Sequence, residues 1–275
     1  MKKVLFTLIV IAYSSCMQAQ EFTIDNIIYK IIDDNEVMVK DNKLSDLFVP
    51  INTFTIPSEV TNESKKYSVT RIGSVALSMI PINNLRIPES VKVIEGAAFV
   101  NSPELQCVEI PASLDSIAVG AFEGCKALKA FKVAQGNARY KVANGILYSK
   151  DGRDLVLCPP AKTGTVIVLA PAKVIKAGAF YGCKQILAVT FPSGLEVIGE
   201  RGFANCFGLK RLTLPNTIKL IGHRAFLGCT ALNSVTMPYD VQCYPQIFRN
   251  CHKLQTINFK MSNGQTKVLN ATNLK

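Results

Sequence analysis

Apolar positions in this chain recur on a period of 22 or 23 residues. Seven anchors mark it: Leu77, Phe99, Phe122, Phe180, Phe203, Phe226 and Phe248, with successive differences of 22, 23, 58, 23, 23 and 22. The 58 is one ordinary step of 23 plus an oversized coil of 35. Self-similarity at this spacing is the mark of a solenoid, in which each repeat buries its apolar side only against its neighbours. Around the anchor the pattern is I-x-x-x-A-F-x-[GN]-C-x-x-L-x-x-V-x-I-P. The Ile five before it is Ile72, Ile94, Ile117, Ile175, Ile198 and Ile221, with Cys243 in the last coil. Leu105, Leu128, Ile186, Leu209, Leu232 and Leu254 follow the anchor by six.

Two further apolar residues lie nine and eleven after the anchor, such as Val108 and Ile110 or Leu212 and Leu214. That spacing puts both on one face of a strand, so each coil contributes a short strand and the stack makes a parallel sheet. Pro88, Pro111, Pro192, Pro215 and Pro238 follow these strands and, lacking an N–H, end them. Two after the anchor stand Asn101, Gly124, Gly182, Asn205, Gly228 and Asn250. Gly and Asn take positive φ readily, so the pattern predicts a left-handed turn in every coil but the first, where Met79 breaks the rule.

The A-F-x-x-C-x-x-L-x-x-V-x-I-P-x-x-V-x-x-I-G unit, running from about Val69 to Lys260, resembles the BspA-like leucine-rich repeats of bacterial surface proteins. Gly145-Ile146-Leu147-Tyr148-Ser149-Lys150-Asp151-Gly152, in the oversized coil, is similar to an interruption seen in that family. Phe22 to Ile72, closing on Tyr67 to Gly73, looks like its amino-terminal cap. The resemblance implies a leucine-rich repeat solenoid with a small β-rich cap and an adhesion or protein-binding role without catalysis. The expected organisation is a signal peptide over 1–19, a β-rich cap over 20–68, the solenoid over 69–260 with an oversized hairpin coil at 131–170, and a tail over 261–275.

The chain has 275 residues, which suits one elongated domain, because a solenoid grows by adding coils rather than by enlarging a single core. Lys2 and Lys3 followed by the apolar run Val4 to Ala12 read as a targeting segment too short to span a bilayer. Cleavage after Ala19 and a lipoprotein cut before Cys16 both remain open; the second would leave a lipid anchor. No other stretch is long and apolar enough to cross a membrane as a helix.

Charge is uneven. Residues 20–68 hold five Lys/Arg against nine Asp/Glu, whereas residues 69–275 hold 24 against 11. From Arg201 onward there are ten basic residues and one acid, Asp240. In an exported protein this points to anionic partners such as acidic glycans or acidic proteins, with a merely solvated surface as the plain alternative. Export, and the lack of aromatics interleaved with the basic residues, argue against nucleic acid.

Nine cysteines in an exported chain invite a disulfide reading. Yet Cys125, Cys183, Cys206, Cys229 and Cys251 all follow the anchor by three and so stack one per coil. Parallel stacked side chains keep their Cβ atoms about 4.8 Å apart, wider than the roughly 3.5–4.5 Å of a disulfide. They read as small core residues, and Cys206→Ser is expected to cost about 1–3 kcal/mol for want of a hydroxyl partner. A row spread over three coil spacings, about 14 Å, cannot gather around one zinc ion. Cys107, eight after its anchor, faces outward and is the thiol expected to react most readily.

His223 and His252 fall in turns beside Arg224 and Lys253, with no nucleophile or orienting acid near in sequence. No G-x-S-x-G, H-E-x-x-H, phosphate loop or calcium loop occurs, and no cofactor or metal is expected. The outward strand positions are more informative: Thr190, Thr213, Thr236 and Asn258 ten after the anchor, and Ala188, Arg211, Ser234 and Thr256 eight after it. Thr190, Arg211, Thr213, Ser234, Thr236, Thr256 and Asn258 are the candidate binding face, though threonine ladders also suit a sheet by propensity alone. An envelope spacer, or a hydrolase with its site in the cap or oversized coil, would be the alternative functions. Within the oversized coil, Ile146-Leu147-Tyr148 and Leu155-Val156-Leu157 flank Asp151-Gly152 and predict an antiparallel hairpin projecting from the solenoid, closed by Pro159-Pro160.

Overall fold

The computed structural model describes residues 20–44 and 49–270; the targeting segment, with Cys16, lies outside them. The chain winds as a β-solenoid with two strand columns and no α-helix among the described residues. One column is built from two-residue strands that carry the Ile five before the anchor, such as Val93–Ile94, Ser116–Ile117, Val197–Ile198 and Leu220–Ile221. The other is built from the longer strands after the anchor, such as Ile82–Arg86, Cys107–Ile110, Ser234–Pro238 and Thr256–Lys260. Pairing between successive coils is parallel and mostly in register, for example Val108 with Phe131 and Val235 with Ile257. In-register stacking is what a fixed repeat length enforces, since a slip of one residue would turn each apolar side chain outward.

Between the two columns the anchors form aromatic stacks. Phe99 and Phe122 lie 5.1 Å apart at 2° between planes, and Phe180, Phe203, Phe226 and Phe248 continue at 4.4, 5.4 and 5.5 Å. The left-handed turn after the anchor is present at all six Asn and Gly positions, and also at Met79 with φ of 53°. The first coil therefore keeps the backbone that its residue type disfavours. A second left-handed position recurs two residues before the anchor, at Val75, Ala97, Gly120, Gly178, Arg201, Arg224 and Gln246. At Gly178, Arg201 and Arg224 hydrogen bonds between coils hold it there. Arg201 N–H, for instance, donates to the His223 carbonyl at 3.0 Å and outweighs the local preference.

The oversized coil carries an antiparallel sheet of three strands, Tyr140–Ala143, Ile146–Ser149 and Asp154–Leu157. It does not project as expected: Ile146, Leu147 and Tyr148 are fully buried. Alternation explains why. Leu147 packs into the apolar cluster of the amino-terminal coils, while Ile146, Tyr148 and Leu155 pack into that of the carboxy-terminal coils. The hairpin is thus a septum with an apolar face toward each half. Its last strand rejoins the short-strand column, with Asp154 and Leu155 beside Val174 and Ile175. On the other side the Tyr140 hydroxyl accepts a hydrogen bond from Ile117 N–H at 2.9 Å, in place of a strand pairing.

The cap merges into the solenoid rather than ending at residue 68. Glu36–Asn42 runs parallel to Lys65–Ile72, and Ile51–Thr55 runs parallel to Ile82–Arg86, so both columns begin within it. At the other end the segment expected as a tail contains a strand, Thr266–Asn270, paired antiparallel with Thr256–Lys260.

Candidate functional site

Of the two columns, the longer strands carry the outward residues singled out in the sequence. Strands Arg211–Thr213, Ser234–Pro238 and Thr256–Lys260 form one sheet, continued by Thr266–Asn270. Its register places Arg211, Ser234 and Thr256 in one row, and Thr213, Thr236 and Asn258 in a second. Strand neighbours in such rows are about 5 Å apart, close enough for Thr–Thr and Ser–Thr contacts of roughly 0.2–1 kcal/mol per pair. The antiparallel strand extends the first row to Asn270 and the second to Val268. Arg211 and Thr213 are exposed, and Ser234, Thr236, Thr256 and Asn258 are half-buried.

Thr190 stands apart. Its strand, Ile186–Thr190, pairs with Gly164–Ile167 in a separate sheet and makes no ladder with Arg211–Thr213. A register shift between Gly164 and Thr165 leaves Leu187 as an extra residue on the facing strand, and an extra residue of this kind bends the strand and breaks pairing. The expected continuous row from Thr190 to Asn258 is therefore three coils plus a margin.

The same face in the amino-terminal half is electrostatically closed. Glu109 lies between Arg86 and Lys132 in the neighbouring strands, at 2.9 and 3.2 Å. The hydrogen bond from Lys132, aided by Arg86, holds the Glu109 carboxyl below its ordinary range. On the short-strand column Glu196 is clamped in the same way between Lys173 and Lys219, each at 2.8 Å, and its pKa falls to about 2. Arg211 has no carboxylate partner among the described residues, so its guanidinium faces solvent with its donors uncommitted.

The five-cysteine row is buried, and all eight described cysteines are free thiols. Each thiol in the row has an acceptor that the sequence did not reveal. Sγ of Cys125, Cys206, Cys229 and Cys251 lies 3.1 Å from the carbonyl of the preceding coil's anchor: Phe99, Phe180, Phe203 and Phe226 in turn. Where the septum interrupts the row, Cys183 reaches the Cys158 carbonyl at 3.7 Å instead. Coil two carries Ser102 at this position, fully buried, with its hydroxyl donating to the Leu77 carbonyl at 3.4 Å and accepting from Ile80 N–H at 3.3 Å. Burial pushes the Cys125 thiol up to about 12, which holds that thiol neutral and unreactive.

Cys107 is not the most accessible thiol. It is half-buried, whereas Cys243 is exposed because no further coil covers it; desolvation raises the pKa of both. His223 Nδ1 approaches Glu200 of the preceding coil at 4.0 Å, an acid distant in sequence, but no nucleophile is part of the pair. Among the described residues no three His, Cys, Asp or Glu side chains converge as metal ligands.

Comparison with known protein families matches residues 48–143 and 163–273 to the BspA type leucine rich repeat region, in six copies. No curated protein matches the chain. Among solved structures, a leucine-rich repeat protein from Eubacterium ventriosum is similar at 17% identity, covering 86% of this chain and 77% of that one with a TM-score of 0.58. A leucine rich cell surface protein from Faecalibacterium prausnitzii, at 17% identity, covers 88% of this chain and 95% of its own with a TM-score of 0.37. The pneumococcal vaccine antigen PcpA, at 20% identity, covers 89% and 88% with a TM-score of 0.43. At 17% identity the likeness to the Eubacterium ventriosum protein is one of fold. The gap between the two matched segments, residues 144–162, falls on the septum.

Proposed function

Because this chain belongs to the BspA-type leucine-rich repeat family, whose repeats match most of its length, we propose that it is an exported, non-catalytic binding module of the cell surface. Its ligand is a protein or an anionic glycan, gripped on the long-strand face of the carboxy-terminal coils. Arg211, Thr213, Ser234, Thr236, Thr256 and Asn258 make the contacts, and Thr190 lies at the margin.

One observation carries this reading. The amino-terminal strand face commits its basic groups Arg86 and Lys132 to Glu109, whereas the carboxy-terminal face presents an unpaired Arg211 at the end of a row of hydroxyls. Planar guanidinium and hydroxyl donors suit carboxylate or sulfate oxygens, and the ten basic residues from Arg201 onward supply the field that attracts them. Export follows from the basic and apolar start of the chain, and a cut before Cys16 would tether the protein through a lipid.

A screen of the mature protein against glycan and protein arrays at low and physiological salt tests the proposal. Sulfated or carboxylated glycans, or acidic proteins, should be retained at low salt and weaken as charges are screened over about 8–10 Å. Retention only of neutral ligands, unchanged by salt, would overturn it.

A further inference from the structure

A backbone ladder runs along the turns of the solenoid and fails at one place. In the second half Gly178, Phe180 and Gly182 donate their N–H groups to Glu200, Gly202 and Ala204 of the next coil, at 2.9, 2.7 and 2.9 Å. In the first half Phe99 and Asn101 donate likewise to Ala121 and Glu123, each at 2.8 Å. The equivalent N–H groups of the next coil, on Phe122 and Gly124, meet no acceptor among the described residues. Facing them across the septum, the Tyr181 carbonyl receives no donor, although its counterparts on Glu123 and Ala204 do.

The cause is a shortened turn. Leu155 pairs beside Ile175 and so holds the place of the Ile before the anchor, and Cys158 N–H donates to the Ala179 carbonyl at 2.7 Å, as an anchor would. From Leu155 to Cys158 is three residues, where regular coils take five, as from Ile175 to Phe180. The bend is cut short, and Pro160, which occupies the place of the second donor, has no N–H for Tyr181. What is left is a cleft of about 1010 Å³ in the column of turns, with Tyr140, Val156 and Leu157 along it. Val119, on its rim, is 62% exposed. Most of the charged side chains around it are paired, Arg139 with Asp115 at 3.7 Å, Lys176 with Asp154 at 2.9 Å and Arg201 with Glu200 at 3.8 Å, while Glu123, also on the lining, has no cation partner among the described residues.

We propose that this cleft is a second binding site, which takes an uncharged, extended peptide segment of a partner protein in place of the missing bend. The walls are complementary in partial charge to such a backbone. The Phe122 N–H would donate to one of its carbonyls, and one of its N–H groups would donate to the Tyr181 carbonyl. Small apolar side chains of the segment would lie on Val119 and Val156. Main-chain pairing gives affinity and the pockets give selectivity, as in strand addition to a sheet edge. The site is independent of the strand face and, because the segment carries no charge, its binding is insensitive to salt.

The test is amide spectroscopy of the ¹⁵N-labelled protein with acetylated, amidated hexapeptides made of Gly, Ala, Val and Ser as probes. At millimolar concentration at least one should shift the Phe122 amide, equally at low and high salt. Val119→Trp, which fills the cleft from an exposed position, should weaken that peptide about tenfold or more. Pro160→Ala, which gives the Tyr181 carbonyl a donor without adding bulk, should weaken it too, and Arg211→Glu should leave it unchanged. No shift with any probe, shifts confined to other coils, or wild-type binding by both cleft variants would overturn the proposal.

Discussion

Replacing Cys206 by Ser and by Ala separates two views of the buried cysteine row. If the thiol were only a small apolar filler, Ser would bury an unsatisfied hydroxyl at a cost of about 1–3 kcal/mol and would be worse than Ala. The structure gives that hydroxyl a place to donate, the Phe180 carbonyl, which Cys206 Sγ already approaches at 3.1 Å. It also shows the substitution already in use, since Ser102 fills the same position in coil two and is bonded on both sides. A satisfied hydrogen bond contributes about 0.5–1.5 kcal/mol net, which offsets most of the desolvation of the hydroxyl. Losing the sulfur in exchange for oxygen removes apolar contact worth about 0.8 kcal/mol, so Cys206→Ser should cost about 1 kcal/mol. Cys206→Ala loses the same contact and the bond and leaves a small cavity, for about 2 kcal/mol. Urea unfolding under reducing conditions measures both, with the slope checked for constancy so that midpoints report stability. Ser more destabilising than Ala would refute the role assigned to the Phe180 carbonyl, and the expectation drawn from the sequence would stand.

Val75 adopts φ of 62° although it is β-branched, and its side chain is 49% exposed, so Val75→Gly should raise stability by about 1 kcal/mol in the same urea experiment. Gly124 has φ of 77°, and Asn101 Oδ1 lies where its Cβ would stand; Gly124→Ala should cost about 2 kcal/mol or more, and Asn101→Gly in the same chain should recover part of it. Glu196 ionises near pH 2 in the folded protein against an ordinary value of 4.5, because Lys173 and Lys219 hydrogen-bond its charged form. The stability it lends is therefore complete above the unfolded value and lost as pH falls from about 5 toward 2; in Glu196→Gln a thermal-melt profile should be flatter over that window. In the native protein a thiol-specific alkylating reagent should modify Cys243 first, with the five-cysteine row protected until urea unfolds the chain; mass mapping of the peptides checks the order.

The solenoid was legible because stacking demands the same residue type at the same place in every coil. Phe anchors, Ile at minus five and the Asn or Gly turn each repeat for a reason the side chain itself announces. The second left-handed position carries Val75, Ala97 or Arg201, and nothing in those residues signals it; at Arg201 a bond to the His223 carbonyl of the next coil imposes the backbone. The septum was half legible. Ile146 to Leu157 alternates as any hairpin does, and a strand buried on both faces looks like one that projects when the second apolar body is invisible. The two outward rows from Arg211 to Asn258 were legible from the strand spacing, but not their break before Thr190, which depends on the register around Leu187. Nor could spacing show that the cysteine thiols donate to carbonyls, because that contact joins residues about 26 apart, as Cys206 to Phe180.

The most direct test of the strand face is the affinity of an anionic ligand from the array screen for the wild type, Arg211→Glu and Lys92→Glu, titrated at low and physiological salt. Lys92 is an exposed basic residue in an early coil, far from the hydroxyl rows, so its reversal controls for net charge. Arg211→Glu should lose about tenfold or more in affinity, or roughly 1.4 kcal/mol, and should flatten the salt dependence, while Lys92→Glu changes binding by less than about twofold. Equal losses from both reversals, or binding by Arg211→Glu that matches the wild type at both salt concentrations, would contradict a ligand site on this face.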